Sequence, residues 1–298
     1  MSLVCTQTKN NQIMLIPEFA PGIAQSFSIE EVPLPDEVLP GEERLAGIYN
    51  YRFIQQSTSF VLQRQVEVGI LLVGGGGAGG AYGGGGGGGA GKVVSFLRLL
   101  EPGEYNIQIG VYGVSTLGYA YGGGGGETYF SLINSANAFT LNAAGGWGGG
   151  AGGGTGIVLP AKGHGGNGGG SGGGSAGASG GNKGSAGNRY SPAVAGTGGG
   201  WNDAAYMLRA TSLFDIGAGG APGTPVSTYK GGGGGGGLSL VASGLSNVTG
   251  GIGGPSTVWA SLGRGGIGYG AGGGGSGANT TSIGGRGAPG LCVLRFAA

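Results

Sequence analysis

Gly69-Ile70-Leu71-Leu72-Val73-Gly74-Gly75-Gly76-Gly77 runs a wholly apolar stretch straight into one with no side chains at all. Its first half ends a longer segment. From Phe60 through Val61-Leu62-Gln63-Arg64-Gln65-Val66-Glu67-Val68 the residues alternate before turning continuously apolar. The pattern predicts a strand over 60–73, half buried and then fully buried. The second half cannot extend it cheaply, because glycine loses the most backbone entropy on folding and has nothing to bury.

The same problem recurs along the chain, which holds 84 Gly in 298 residues, against roughly 7% in average proteins. Runs such as Gly83 to Gly89 and Gly231 to Gly237 are either slack or held by something other than side-chain packing. Slack linkers are typically charged and poor in aromatics. Here 39% of residues are apolar, only 9% are charged, and the aromatics sit between the glycine runs. Collagen is excluded, because its strict Gly-X-Y period and abundant proline are both missing.

One conformation can order such runs. Polyglycine can take a left-handed threefold helix rising about 3.1 Å per residue without internal hydrogen bonds. Helices packed side by side then pair their main-chain groups with neighbours and satisfy whole runs at once. Close approach adds Cα–H···O contacts worth about 0.5–1 kcal/mol each. A Cβ between the helices would clash, so Ala, Ser or Asn is expected only on outer ones. The expected scaffold is a bundle of polyglycine II helices capped by strands, with the inserts as loops at the helix ends.

Further strands are predicted at Lys92 to Leu99 and Glu104 to Val111, joined by a tight turn at Leu100-Glu101-Pro102-Gly103, with Tyr105, Ile107 and Ile109 on one face. Glu127 to Ile133 pairs with Ala138 to Asn142, and Leu291 to Phe296 closes the set. Widely separated strands of this kind suit a β-sandwich or jelly roll. Trp201 to Ile216 reads as a short helix capped by Asp203. Residues 1–60 are punctuated by Pro17, Pro21, Pro33, Pro35 and Pro40 and read as an attachment arm, with short strands at Gln12 to Ile16 and Ala46 to Phe53. Residues 61–298 form the glycine-rich body.

Charge divides the chain the same way. Up to residue 66 seven acidic residues oppose four basic ones, so that part is near −3; the whole is +1, leaving about +4 beyond it. Nucleic acid, which needs a basic stripe, is not an expected partner. Cys5 and Cys292 are too few for a disulfide framework and read as free and buried. The start lacks the features of a signal peptide, and no apolar run reaches the roughly 18 residues of a membrane span, so cytoplasmic synthesis without membrane insertion is expected.

Catalytic chemistry finds no foothold. Gly86-Gly87-Gly88-Gly89-Ala90-Gly91-Lys92 meets most of a P-loop, but Val93 stands where Ser or Thr must reach Mg²⁺. His164 is the single histidine, and with two distant cysteines it cannot furnish a zinc set. Asp203 and Asp215 suit capping and turns better than acid–base work. No cofactor, metal or catalytic residue is expected. The aromatics in and beside the glycine runs either shield the bundle edge or make contacts; Tyr119, Tyr121, Tyr190, Tyr229, Trp259 and Tyr269 are the candidates for surface recognition.

The opening string, with Gly91-Lys92-Val93-Val94, Glu101-Pro102-Gly103-Glu104-Tyr105-Asn106-Ile107-Gln108-Ile109-Gly110 and Gly290-Leu291-Cys292-Val293-Leu294-Arg295-Phe296, resembles the glycine-rich domain of phage and bacterial tail-fibre proteins. Gly198-Gly199-Gly200-Trp201-Asn202-Asp203, followed by Ser212-Leu213 and Gly217-Ala218-Gly219-Gly220, is similar to the glycine-rich extracellular domain of anaplastic lymphoma kinase and leukocyte tyrosine kinase. The resemblance spans roughly residues 66 to 297. It implies a mainly β fold with extensive irregular structure, in which a jelly-roll/TNF-like sandwich caps a polyglycine II bundle. No kinase domain is present, so no receptor role carries over. The expectation is a non-catalytic phage virion protein of the tail fibre or baseplate, made in the host cytoplasm. Residues 1–60 would dock on other virion proteins, and the distal loops would touch a host-surface glycan or protein. A homotrimer is compatible with a fibre part. The alternatives are a capsid cement or decoration protein and a receptor-like protein-binding module.

Overall fold

The computed structural model describes residues 3–7, 13–17, 39–46, 49–81, 85–117, 121–150, 214–216, 238–240, 262–277 and 282–297. The protein is mainly β, its sheets are antiparallel, and no helix occurs among the described residues. Two compact units divide at residue 36: Met1–Asp36 and Glu37–Ala298. In the first, β1 (Leu3–Gln7) pairs with β2 (Ile13–Pro17).

The second unit holds the remaining strands. β3 (Glu42–Ala46), β4 (Tyr49–Ile54), β5 (Thr58–Leu62), β6 (Val66–Val73), β7 (Val93–Leu100), β8 (Gly103–Gln108), β9 (Thr128–Ile133), β10 (Phe139–Ala143) and β13 (Leu291–Ala297) make two sheets. Their orders are β3-β4-β13-β6-β7 and β10-β9-β8-β5. β3 and β4, expected in the arm of 1–60, thus pair within this unit, and β4 lies beside the last strand. The two sheets face each other across one apolar core. Alternation along each strand supplies it: Val68, Ile70 and Leu72 from one sheet, Tyr105, Ile107, Phe130 and Leu132 from the other. Phe60 stacks on Tyr105 at 5.4 Å, and the Tyr105 hydroxyl escapes burial cost by donating to Glu101 O at 2.8 Å.

Two expectations are corrected. The predicted single strand over 60–73 is two strands in opposite sheets, β5 and β6, because Gln63-Arg64-Gln65 turns the chain from one sheet to the other. The turn after β7 likewise carries the chain between sheets, and β8 pairs with β5 and β9. Phe214–Ile216, placed at the end of a helix by the sequence, is strand β11, paired with β12 (Leu238–Leu240). A three-residue ladder with alternating Phe214 and Ile216 outweighs the helical spacing there. Residues 201–213 of that expected helix lie outside the described residues.

The glycine runs leave from one end of the two sheets. We number the described stretches segment 1 (74–81), 2 (85–92), 3 (110–117), 4 (121–127), 5 (144–150), 6 (262–267), 7 (270–277) and 8 (282–290). Segment 1 continues β6 and segment 2 returns to β7; segment 3 continues β8 and segment 4 returns to β9; segment 5 leaves β10, and segment 8 returns to β13. Thr128 ties this junction: its hydroxyl donates to Val73 O at 2.6 Å and accepts from Gly110 N at 3.0 Å.

Segment 1 is the axis. Its N–H groups from Gly74 to Gly80 donate in turn to Lys92, Gly126, Ala288, Gly89, Gly123, Gly285 and Gly86, all at 2.8–2.9 Å. Every third donor therefore returns to the same neighbour, whose numbers fall by three, so segments 2, 4 and 8 run antiparallel to it. Its carbonyls accept from Gly146 and Gly149, from Gly113, and from Gly273 and Ser276, so segments 5, 3 and 7 run parallel. The six neighbours also bond to one another around a closed ring in the order 2, 5, 4, 3, 8, 7. Segment 6 lies outside, bonded to segments 8 and 7 through Gly266 N to Arg286 O and Gly274 N to Arg264 O.

This spacing explains the purity of the runs. A Cβ on Gly76 would stand 2.0 Å from Ala271 O, and one on Gly80 2.0 Å from Gly150 O. One expectation fails here: Ala78 and Ala81 are fully buried on the axial segment rather than an outer one. The bonds of Ala78, to Gly123 O at 2.9 Å and from Gly149 N at 2.8 Å, are as short as those at the glycine levels.

Candidate recognition surface

Locked main chains make the outer faces of the segments rigid platforms, and a period of three decides which side chains point outward. On segment 3, Val111, Val114 and Leu117 recur at that period and are 69%, 56% and 71% exposed. Beside it, segment 4 turns Tyr121 and Gly124 outward, and beside that segment 5 exposes Trp147. Their carbonyls face inward: Val111 O and Val114 O accept from Gly126 and Gly123, and Trp147 O accepts from Gly89. Large apolar side chains are thereby held in water by backbone bonds alone, with no collapse available to hide them.

Of the residues expected to recognise a surface, Tyr121 is placed on this face. Tyr269 is half buried and packs on the apolar cluster formed by Tyr51, Phe53, Leu71, Val73, Val93, Leu291 and Val293, on the outer side of the five-stranded sheet. Tyr119, Tyr190, Tyr229 and Trp259 lie outside the described residues. The sequence reading missed Val111, Val114 and Leu117, although their spacing in Val111-Tyr112-Gly113-Val114-Ser115-Thr116-Leu117 carries the threefold period in plain view.

Other candidate chemistry resolves differently. The P-loop-like stretch 86–92 lies in segment 2, where Gly86, Gly89 and Lys92 donate to segment 5 and Gly88 and Gly91 to segment 7. Those amides are committed to neighbours and no helix follows, so the phosphate cradle of a P-loop is not formed. Cys292 is fully buried in the core, and burial pushes its thiol far above the ordinary range. Cys5 lies in β1, and His164 lies outside the described residues. Among the described residues no three of His, Cys, Asp or Glu converge as a metal site would need, and no helix is long and apolar enough to cross a membrane. Glu127, at the base of segment 4, is held below its usual pKa by hydrogen bonds from Tyr129 and Asn142.

A hollow of about 440 Å³ lies at the opposite end of the sandwich, at the β9–β10 turn, lined by Leu132, Asn134, Ala138 and Phe139 among others. It holds no titratable side chain. Arg98 covers the Phe139 ring there at 4.3 Å.

The architecture built on these segments has a counterpart among known families: the profile described as a glycine-rich domain matches residues 55–297. The chain belongs to the glycine-rich domain family. The match takes in every glycine segment and all the paired strands from β5 onward, leaving β1 to β4 outside it. No curated protein matches the chain.

Proposed function

We propose that this glycine-rich domain is a non-catalytic recognition module of a phage particle, part of a tail fibre or baseplate, in which a jelly-roll-like sandwich caps a bundle of polyglycine II helices. The threefold return of donors along segment 1 supports the bundle, since only a helix of three residues per turn aims every third N–H at the same neighbour. The last strand, β13, lying between the early strands β4 and β6, and β5 and β6 in opposite sheets favour the jelly-roll description.

The observation that carries the functional reading is the face of segments 3 to 5. Val111, Val114, Leu117, Tyr121 and Trp147 stand exposed together on a platform that main-chain bonds keep rigid. Binding to such a surface orders little that is not already ordered, which favours affinity. Residues 1–36, which form a unit of their own, then attach the module to other virion proteins, and the outward face meets a glycan or protein of the host surface.

The test is adsorption of the purified full chain to intact bacteria and to purified particles, with competition against infection. Saturable adsorption to cells is expected, and the double variant Val114→Ser/Trp147→Ala should lose it while keeping its circular dichroism. Binding to particles with none to cells would replace this reading by that of a cement or decoration protein.

A further inference from the structure

The recognition face does not stop at segment 3. On its other side lies segment 8, and beyond that segment 6, each contributing one arginine. Arg286 of segment 8 is exposed and stands over the Tyr112 ring of segment 3, its guanidinium carbon 5.3 Å from the centroid. In the other direction its side chain crosses Gly265, where a Cβ would come within 3.4 Å of the arginine Cγ. Arg264, next in sequence to Gly265, is exposed as well.

Both arginines are fixed at their backbones. Gly266 N donates to Arg286 O and Gly274 N to Arg264 O, each at 2.9 Å. Because residue 266 pairs with 286, Arg264 lies two residues back along a parallel segment, an axial offset of about 6 Å at the rise of a threefold helix. Side chains as long as arginine's, hung from backbones offset by that much, can reach the same oxyanion. Neither arginine has a carboxylate partner among the described residues. Glu127 sits on segment 4, which touches neither segment 6 nor segment 8.

Like charges placed side by side without a counter-charge repel, and an anion between them reverses the sign of the interaction. A guanidinium fork fits carboxylate or phosphate oxygens in bidentate fashion. Tyr112, 38% exposed, adds a ring face of the kind on which a sugar's C–H groups stack. Two cations on a chain of net charge +1 are too few for a nucleic-acid backbone. Resting on the recognition reading above, we propose that Arg264, Arg286 and Tyr112 form a binding site for an anionic glycan, the arginines holding its carboxylate or phosphate and Tyr112 its sugar face.

The test uses the full chain in biolayer interferometry against polygalacturonate, poly(glycerol phosphate) and neutral dextran. Binding to an anionic polymer and not to dextran is expected, and the polymer that binds tells carboxylate from phosphate. Arg286→Gln and Arg264→Gln should each weaken it at least tenfold, and Arg286→Lys, which keeps charge but loses the fork, should weaken it nearly as much as Arg286→Gln. Unchanged thermal midpoints serve as the folding control. Equal binding of dextran, failure of both anionic polymers, or indifference to the double Arg→Gln change would overturn the site. If the double variant still adsorbs to bacteria like wild type, the site is wrong and the recognition reading stands; if wild type adsorbs to no cells, the recognition reading itself fails.

Discussion

Replacing Gly77 by alanine tests the scaffold at its axis. The added Cβ would stand 2.2 Å from Trp147 O and 2.5 Å from the carbonyl carbon. A normal Cβ···O contact requires the two segments to separate by about 1 Å. The bonds that join those two segments on either side of Gly77, Gly146 N to Gly75 O and Gly149 N to Ala78 O, both 2.8 Å, would then stretch past the useful range. Each buried pair left unmade costs about 1–3 kcal/mol, and overpacking adds about 1–3 kcal/mol. Alanine's smaller unfolded-state entropy returns only about 0.4–1 kcal/mol. With two such bonds the sum is a destabilisation of about 5 kcal/mol, a large share of the roughly 5–15 kcal/mol that holds a native protein together. Gly124→Ala is the control: Gly124 is exposed, its φ is not positive, and a Cβ there would meet nothing nearer than Gly146 O at 3.6 Å. That change should be neutral or stabilising by a few tenths of a kcal/mol. Urea denaturation followed by tryptophan fluorescence reads both. Equal stability of the two variants, within about 0.5 kcal/mol, would refute the packing argument.

Three other changes probe separate features. Thr128→Val keeps the shape but leaves Val73 O and Gly110 N without the hydroxyl that joins them, and should cost about 2–4 kcal/mol in denaturant unfolding. In a Cys5→Ser background, Cys292 should react with a thiol reagent no faster than the protein unfolds, because its buried thiol stays protonated; rapid labelling under native conditions would contradict its placement in the core. Glu127, with its pKa lowered from 4.5 by Tyr129 and Asn142, adds stability above that pH that is lost as pH falls through the lowered value; Glu127→Gln should flatten this acid-side loss in pH-dependent melting.

Much of the sheet structure is legible in the residues. The alternation of Tyr105, Ile107 and Ile109 marks an inward face, and all three are buried. The pairing of 127–133 with 138–142 follows from two apolar runs around a polar turn, and the two strands do pair. What the residues could not disclose is which sheet each strand joins: Gln63-Arg64-Gln65 reads as polar alternation within a strand, whereas the chain uses it to change sheets. Short segments such as Phe214–Ile216 suit helix or strand equally, and only their partner decides. The outward residues were hidden for another reason. Val111, Val114 and Leu117 follow neither the helical nor the strand period, so they stand out only to a search at three.

The closed ring around segment 1 also orders events in time. Residues 74–80 leave the ribosome some two hundred residues ahead of Ala288 and Gly285, to which two of their amides donate, and β6 is separated as far from its partner β13. Until then the hub has four of its six neighbours and lacks segments 7 and 8. Closure of the ring must therefore wait for residues 282–297, and a chain cut before residue 282 would lose a spoke of the wheel and the central strand together.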